Sequence, residues 1–352
     1  MNSLVDPFGR KIDYLRVSLT DRCNFRCVYC MPEEGLPPLT KEEVLTTAEL
    51  MRIIGIAAAA GMRKIRFTGG EPLLKGDLPL VIESAARAGF TDISATTNGY
   101  LLKSRAKALK QAGLQRINVS LDTLDHGRFK EIARRGELDA VLAGIEEAAR
   151  VGLSPIKINC VLMKGVNDRE VGAFAALSRD QDLHVRFIEL MPMRWNLDET
   201  PAMPFAEPLL QLKQATGGML DDLQMRRMFF SAADAKAQIE SELGELEPAE
   251  VVTNGPARTY RLKNAVGTVG FISQITNDFC SRCNRIRLTH DGFLRPCLMS
   301  DGELDLRTPI RAGADDQTIL ELLRSVVAHK PERHYLAEGQ KVVGRSMSQI
   351  GG

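Results

Sequence analysis

YLRVSLTDRCNFRCVYC, residues 14–30, reads as a short buried strand that runs directly into a loop carrying three cysteines. Tyr14–Leu19 is the strand, an apolar and β-branched run interrupted by one charge, Arg16. Cys23, Cys27 and Cys30 follow in a C-x3-C-x2-C spacing. A second triad, Cys280-x2-Cys283-x13-Cys297, lies near the other end, so the two take six of the seven cysteines. An electron carrier supplies four cysteines per four-iron cluster. A triad leaves one iron open to a small molecule, and that is a catalytic arrangement.

Working outward, strand-like runs recur at Lys64–Thr68, Asp92–Thr96, Arg116–Ser120, Pro155–Leu162 and Val185–Leu190. Helical patterns around 46–60, 77–88, 101–112, 138–151 and 168–179 separate them, several ending in glycine. This alternation predicts an α/β fold with a parallel sheet, an incomplete (βα)6 barrel. The segments richest in chemistry each follow a strand: the first triad, Gly69-Gly70-Glu71-Pro72, Thr96–Gly99, Ser120–Asp122 and Glu189–Pro192. That edge of a barrel carries active sites. The pattern fails over 196–228, an insertion or link. The expected division is a barrel domain over 1–228 and a smaller C-terminal α+β domain over 229–352.

In that second domain Asp291-Gly292 reads as a two-residue hairpin turn. It sets His290 opposite Phe293 and Ile286 opposite Cys297, which returns the third cysteine towards Cys280 and Cys283. A zinc site is the alternative for a CxxC pair, although it wants a fourth ligand and His290 falls at the far end of the hairpin.

Four strands carry a cation inside an apolar run: Arg16, Arg66, Lys157 and Arg186. Strand side chains alternate faces, so if the apolar neighbours meet outer helices these four point into the barrel. A buried, unpaired cation costs several kcal/mol; four together predict a polyanionic ligand such as a triphosphate, with Arg285 and Arg287 adding charge. Lys64 is expected on the other side of Arg66's pleat, joining at the rim. No GxxxxGK[ST] loop is present, so the binding is not of the P-loop kind.

Composition narrows the class. The 352 residues carry 46 Lys and Arg against 45 Asp and Glu, a net charge of +1 that offers no bulk field for nucleic acid or membrane. The longest apolar run, Ile53–Ala60, is too short to span a bilayer. Charges near the N-terminus stand where a secretory signal needs its apolar region. Cytoplasm is the expected compartment, where metal ligation by cysteine outweighs a disulfide framework.

The C-x3-C-x2-C triad with Tyr29 before its third cysteine, followed by Gly-Gly-Glu-Pro, resembles the radical S-adenosylmethionine superfamily. The second triad, Asn-Arg-Ile-Arg after Cys283 and the terminal Gly351-Gly352 resemble its GTP 3′,8-cyclase family, of molybdenum cofactor biosynthesis. The resemblance implies two [4Fe-4S] clusters, on Cys23, Cys27 and Cys30 and on Cys280, Cys283 and Cys297. It implies S-adenosylmethionine as cofactor, with contacts at Tyr29, Gly70, Ser120 and Met191; Glu71 is read as an acceptor for its ammonium group. GTP contacts fall on Arg16, Lys64, Arg66, Thr96, Lys157, Arg186, Arg285, Ile286 and Arg287, and Arg16 joins the first three cysteines in the catalytic set. A reductant protein, a downstream cyclic pyranopterin monophosphate synthase and a homodimer are the implied partners, with no nucleic acid or membrane. The glycine tail is expected to reach into the cavity.

Overall fold

The structure is a computed structural model that describes residues 4–191, 220, 222–249, 255–335 and 345–351. Strands β1 (Tyr14–Ser18), β2 (Lys64–Thr68), β3 (Asp92–Thr97), β4 (Arg116–Ser120), β5 (Ile156–Leu162) and β6 (Leu183–Glu189) lie side by side in chain order, all parallel. Helices α1 (Thr47–Ala59), α2 (Leu78–Ala88), α3 (Leu102–Gln111), α4 (His126–Ala133), α5 (Leu138–Arg150) and α6 (Val171–Asp180) return the chain between them. The strands are those expected from the sequence. Helix α4 is not; it is short, carries Gly127 in its first turn and is capped by the Asp125 carboxylate accepting from Arg128 N.

Alternation sorts the strand residues as the charge pattern requires. Leu15, Val17, Ile65, Phe67, Ile117, Val119, Ile156 and Ile158 are buried in the hydrophobic core with residues of the outer helices. The opposite parity faces the lumen, where Arg287, Arg16, Arg66 and Ser94 stand at aligned positions on four adjacent strands. Lys64 shares this parity with Arg66, being two residues away, so its expected place across the pleat is corrected. Its ammonium pairs with Asp13 at 3.0 Å, beside the start of the strand.

The sheet does not end with the sixth strand. The C-terminal region adds β10 (Arg285–Leu288) parallel to β1 and β9 (Thr268–Ile272) parallel to β6. Strands β11 (Phe293–Arg295) and β12 (Leu304–Asp305) extend one flank, β8 (Arg258–Leu262) and β7 (Leu246–Pro248) the other, giving a single 12-stranded sheet. Helices α7 (Asp222–Arg227), α8 (Ala232–Leu243), α9 (Arg307–Arg311), α10 (Asp316–Ala328) and α11 (Met347–Ile350) are the further helices among the described residues. Most of the link expected over 196–228 lies outside the described residues. Its end is structural: Leu220, Met225 and Met228 pack with Val28, Met163 and Leu190 beside the first cysteine loop.

The β10–β11 hairpin is one residue out of the expected register. Arg287 faces Arg295 and Leu288 faces Leu294, so Thr289, not His290, closes the turn against Phe293. The loop has three residues, with Gly292 at φ +91° as its left-handed member. The slip carries Cys297 to the same parity as Arg285 and Arg287, and all three line one cavity. Ile286 points the other way and is fully buried in the core.

Glu189, at the end of β6 and fully buried, joins the two regions. Its carboxylate accepts from Ala232 N at the start of α8, from Ile275 N and Thr276 N, and from the Thr276 hydroxyl at 2.6 Å. Glu189→Ala strands these donors and is expected to cost about 3–5 kcal/mol. Thermal unfolding checks it; Glu189→Gln, which keeps one acceptor oxygen, should melt between the variant and the parent.

Candidate active site

The first cysteine loop is shaped by the turn after β2. Gly70 N donates to Thr20 O at 2.6 Å and Glu71 N to Arg22 O at 2.8 Å. A Cβ at Gly70 would lie 2.2 Å from Arg22 O, and one at Gly69 2.4 Å from Thr20 O. The two glycines therefore let this turn lie directly against the backbone that leads into Cys23. Glu71 is buried with its oxygens already engaged, accepting from Leu73 N, the Thr97 hydroxyl and Asn98 N. Burial raises its pKa to about 7 against these donors. Through Asn98, whose amide approaches Cys23 Sγ at 3.8 Å, Glu71 ties the turn after β3 to the triad.

Cys23, Cys27 and Cys30 are free thiols whose pKa values are all raised. Burial is the main cause; Glu71 adds to it at Cys23, Asp122 and the other two sulfurs at Cys27, and Cys23 and Asp122 at Cys30, which is pushed up to about 12. Such thiols stay neutral unless a metal takes the proton's place. Phe25 N meets Cys23 Sγ at 3.4 Å and Ser348 N donates to Cys30. Three mutually interacting thiols, with backbone donors on their sulfurs and no cationic partner dominating, are a donor set for iron.

Tyr29 is locked by its hydroxyl to Asp122 Oδ2 at 2.7 Å, and Asp122 also accepts from Val161 N. Ser120 stands at the end of β4, half-buried. Met191 packs with Met299, Cys297, Met347 and Ile350.

The second triad lines one cavity with Arg285, Arg287 and Lys330. Its electrostatics differ from the first. Burial raises Cys280 to about 11. At Cys283 burial pushes up as well, but the Lys330 ammonium and Arg285 outweigh it and hold the thiol below its usual value. Donors again reach the sulfurs, His334 N at Cys280 and Met299 N at Cys297 at 3.4 Å, with the Lys330 charge acting on Cys283. His334, far away in sequence, brings a ring nitrogen within 4.8 Å of Cys280 Sγ and an Asp278 carboxylate oxygen, a juxtaposition the sequence did not reveal.

Between the triads the lumen is cationic. Lys157 has a pKa lowered to about 7, by burial first and then by Arg186, Arg66 and Arg116. Arg16, Arg66, Arg186 and Arg287 are shifted down in the same way, burial being the largest cause at each and neighbouring guanidiniums adding to it. Arg66 donates to the Ser94 hydroxyl and Arg186 to Asn159 Oδ1, neutral acceptors that carry no compensating charge. Thr96 accepts from Asn118 in the same wall. Arg116, which the sequence reading passed over, pairs with Asp92.

The tail enters this space. Arg16 donates to Gly351 O at 3.0 Å, and Arg287 donates to Ile350 O at 3.0 Å and to Gly351 O. Gly352 lies outside the described residues. The structure thus gathers Arg16, Arg66, Lys157, Arg186 and Arg287 around one lumen and leaves Lys64 at its lower end.

The comparisons agree with this architecture. The Radical SAM superfamily profile matches residues 17–177, and the Molybdenum Cofactor Synthesis C profile matches residues 215–336. The GTP 3′,8-cyclase of Pelotomaculum thermopropionicum is 46% identical over 349 residues, covering 99% of each chain. That of Heliobacterium modesticaldum is 46% identical over 352 residues, covering 99% of this chain and 100% of its own. Among solved structures, Streptococcus suis SuiB bound to S-adenosylmethionine superposes with a TM-score of 0.56 over 89% of this chain and 68% of its own; at 14% identity it shows the shared fold. Radical S-adenosylmethionine enzymes carry a [4Fe-4S] cluster and use that cofactor. Full-length identity of this degree, spanning both cysteine triads, means that the chain belongs to the GTP 3′,8-cyclase family of radical S-adenosylmethionine enzymes.

Proposed function

We propose that this chain is a lyase that converts GTP into 3′,8-cyclo-7,8-dihydro-GTP, an early step of molybdenum cofactor biosynthesis. The observation that carries the reading is the lumen: five cations on five strands, aligned between two cysteine triads. Cys23, Cys27 and Cys30 would hold a [4Fe-4S] cluster, which would supply the electron for reductive cleavage of S-adenosylmethionine.

The protein's own residues then do the positioning. Arg16, Arg66, Lys157, Arg186 and Arg287 recover, on binding a triphosphate, the charge compensation that their burial removed. Arg285, beside the Phe279 ring at 4.7 Å, extends this surface to the second triad. Cys280, Cys283 and Cys297 would hold a second [4Fe-4S] cluster, which would supply a site for the guanine. Tyr29, Gly70, Ser120 and Met191 border the cofactor, with Thr96 on the GTP side; Ile286, whose side chain lies in the core, offers GTP only its backbone. In this reading residues 1–228 are the radical-forming half and 229–352 the half that grips the purine. A reductant protein, a cyclic pyranopterin monophosphate synthase, a homodimeric state and the cytoplasm belong to the same proposal.

A zinc ion is the second reading for the C-terminal centre, favoured by Asp278 and His334 beside Cys280. Anaerobic reconstitution decides between them. Two clusters give about eight irons per chain; four irons with one bound zinc would establish the second reading. The same preparation should release 5′-deoxyadenosine in a GTP-dependent manner, and the Arg285→Ala/Arg287→Ala pair should bind GTP at least about a hundredfold more weakly. Undiminished affinity would remove both arginines from the site.

A further inference from the structure

Lys330 follows α10 and is 3% exposed, yet no carboxylate pairs with it among the described residues. Its ammonium donates to Arg285 O at 2.9 Å and to Pro296 O at 2.6 Å. The first carbonyl lies two residues beyond Cys283, the second immediately before Cys297. The same side chain lines the cavity shared by the three cysteines, and its charge lowers the pKa of Cys283. The turn that presents it is itself fixed: Arg10 donates to Pro331 O at 2.6 Å, to Glu332 O at 2.7 Å and to Cys280 O at 2.7 Å.

A buried ammonium is retained only where a negative group compensates it. Here the nearest charged side chains on the adjoining strand, Arg285 and Arg287, are themselves cationic and make matters worse. The compensating charge must come from the cysteine centre. We propose that Lys330 is a positioning residue for that centre, holding the segments that carry Cys283 and Cys297 together and providing a fixed positive charge that favours its reduced form. Among the described residues the first triad has no such lysine; Asn98, Phe25 N and Ser348 N meet its sulfurs instead. The two centres are therefore set at different potentials by the chain itself. The inference rests on the second triad holding an iron–sulfur cluster.

The test uses full-length protein reconstituted with iron and sulfide, carrying Lys330→Gln, Lys330→Met or Lys330→Arg. Iron content and a redox titration followed by electron paramagnetic resonance report each centre separately. Glutamine keeps a donor and loses the charge; arginine keeps the charge. The Gln and Met variants should lower the reduction equilibrium of the second centre by about tenfold, which is about 59 mV for a one-electron couple. Arginine should stay within about twofold of the parent, and the first centre should not move in any of them. Loss of the second centre's iron from the Met variant but not the Arg variant also supports the role. An unchanged potential in Lys330→Gln, or an Arg variant displaced as far as Met, overturns it. Cys283→Ala guards the premise: if that variant carries as much iron as the parent, the cluster reading fails and not the assignment of Lys330.

Discussion

Cys27→Ala is expected to abolish cleavage of S-adenosylmethionine, with 5′-deoxyadenosine falling at least about a thousandfold and iron dropping from about eight to about four per chain. The Cys27 thiol is raised by burial and then by Asp122, Cys30 and Cys23. Two thiols cannot hold a cluster that three hold with one position open, and among the described residues only Cys23 and Cys30 are sulfurs acting on Cys27. Cys160→Ala is the matched control. That cysteine is 1% exposed, faces the outer helices and touches Asn167 and Asp122 O. Its loss should cost about 1 kcal/mol of packing and leave iron and cleavage intact. Iron retained in Cys27→Ala at the parental level would break the assignment of the first triad.

Lys157→Met should act in opposite directions on the empty and the loaded protein. In the empty lumen the ammonium titrates at about 7 against a usual value of 10.5. Between those values the unfolded chain binds the extra proton, so stability rises with pH from 7 to 10.5 and the penalty is fully present below 7. Removing the charge should therefore stabilise the ligand-free protein at pH 7, with a ceiling of about 5 kcal/mol. The same change should weaken GTP about 10- to 100-fold, because a charge-assisted contact to phosphate is lost. Bound phosphate favours the protonated lysine, so parental affinity should fall by up to about tenfold per pH unit above 7, and the methionine variant should lack that slope. Melting curves and calorimetric titrations across pH 6.5–9 read both effects. A methionine variant that melts lower at pH 7 while binding GTP normally would place Lys157 in the scaffold instead.

Local patterns carried much of this into the sequence. The six barrel strands are short apolar runs bounded by glycine and polar turns, and the cations within four of them mark the lumen in the sequence itself. Cysteine spacing did the same for both triads. What escaped depends on contacts distant in sequence. Lys330 and His334 reach the second triad only because α10 ends beside it, and Glu189 gains its donors from α8 and the Ile275–Thr276 turn. The hairpin register failed for the same reason. Asp-Gly fits a two-residue turn equally well, and the choice of a three-residue loop is made by pairing with β1 and β12. Lys64 was misplaced by a miscounted pleat, since residues two apart share a face.

The continuity of the sheet has a consequence for anyone dissecting this enzyme. Cutting the chain between the halves would not release two modules but would bare both flanks of the barrel, β1 without β10 and β6 without β9. Each raw flank is a row of unpaired amides and carbonyls that recruits other chains. The isolated N-terminal half should therefore form insoluble aggregates, and co-expressing the missing partner, by restoring those ladders, should return it to solution.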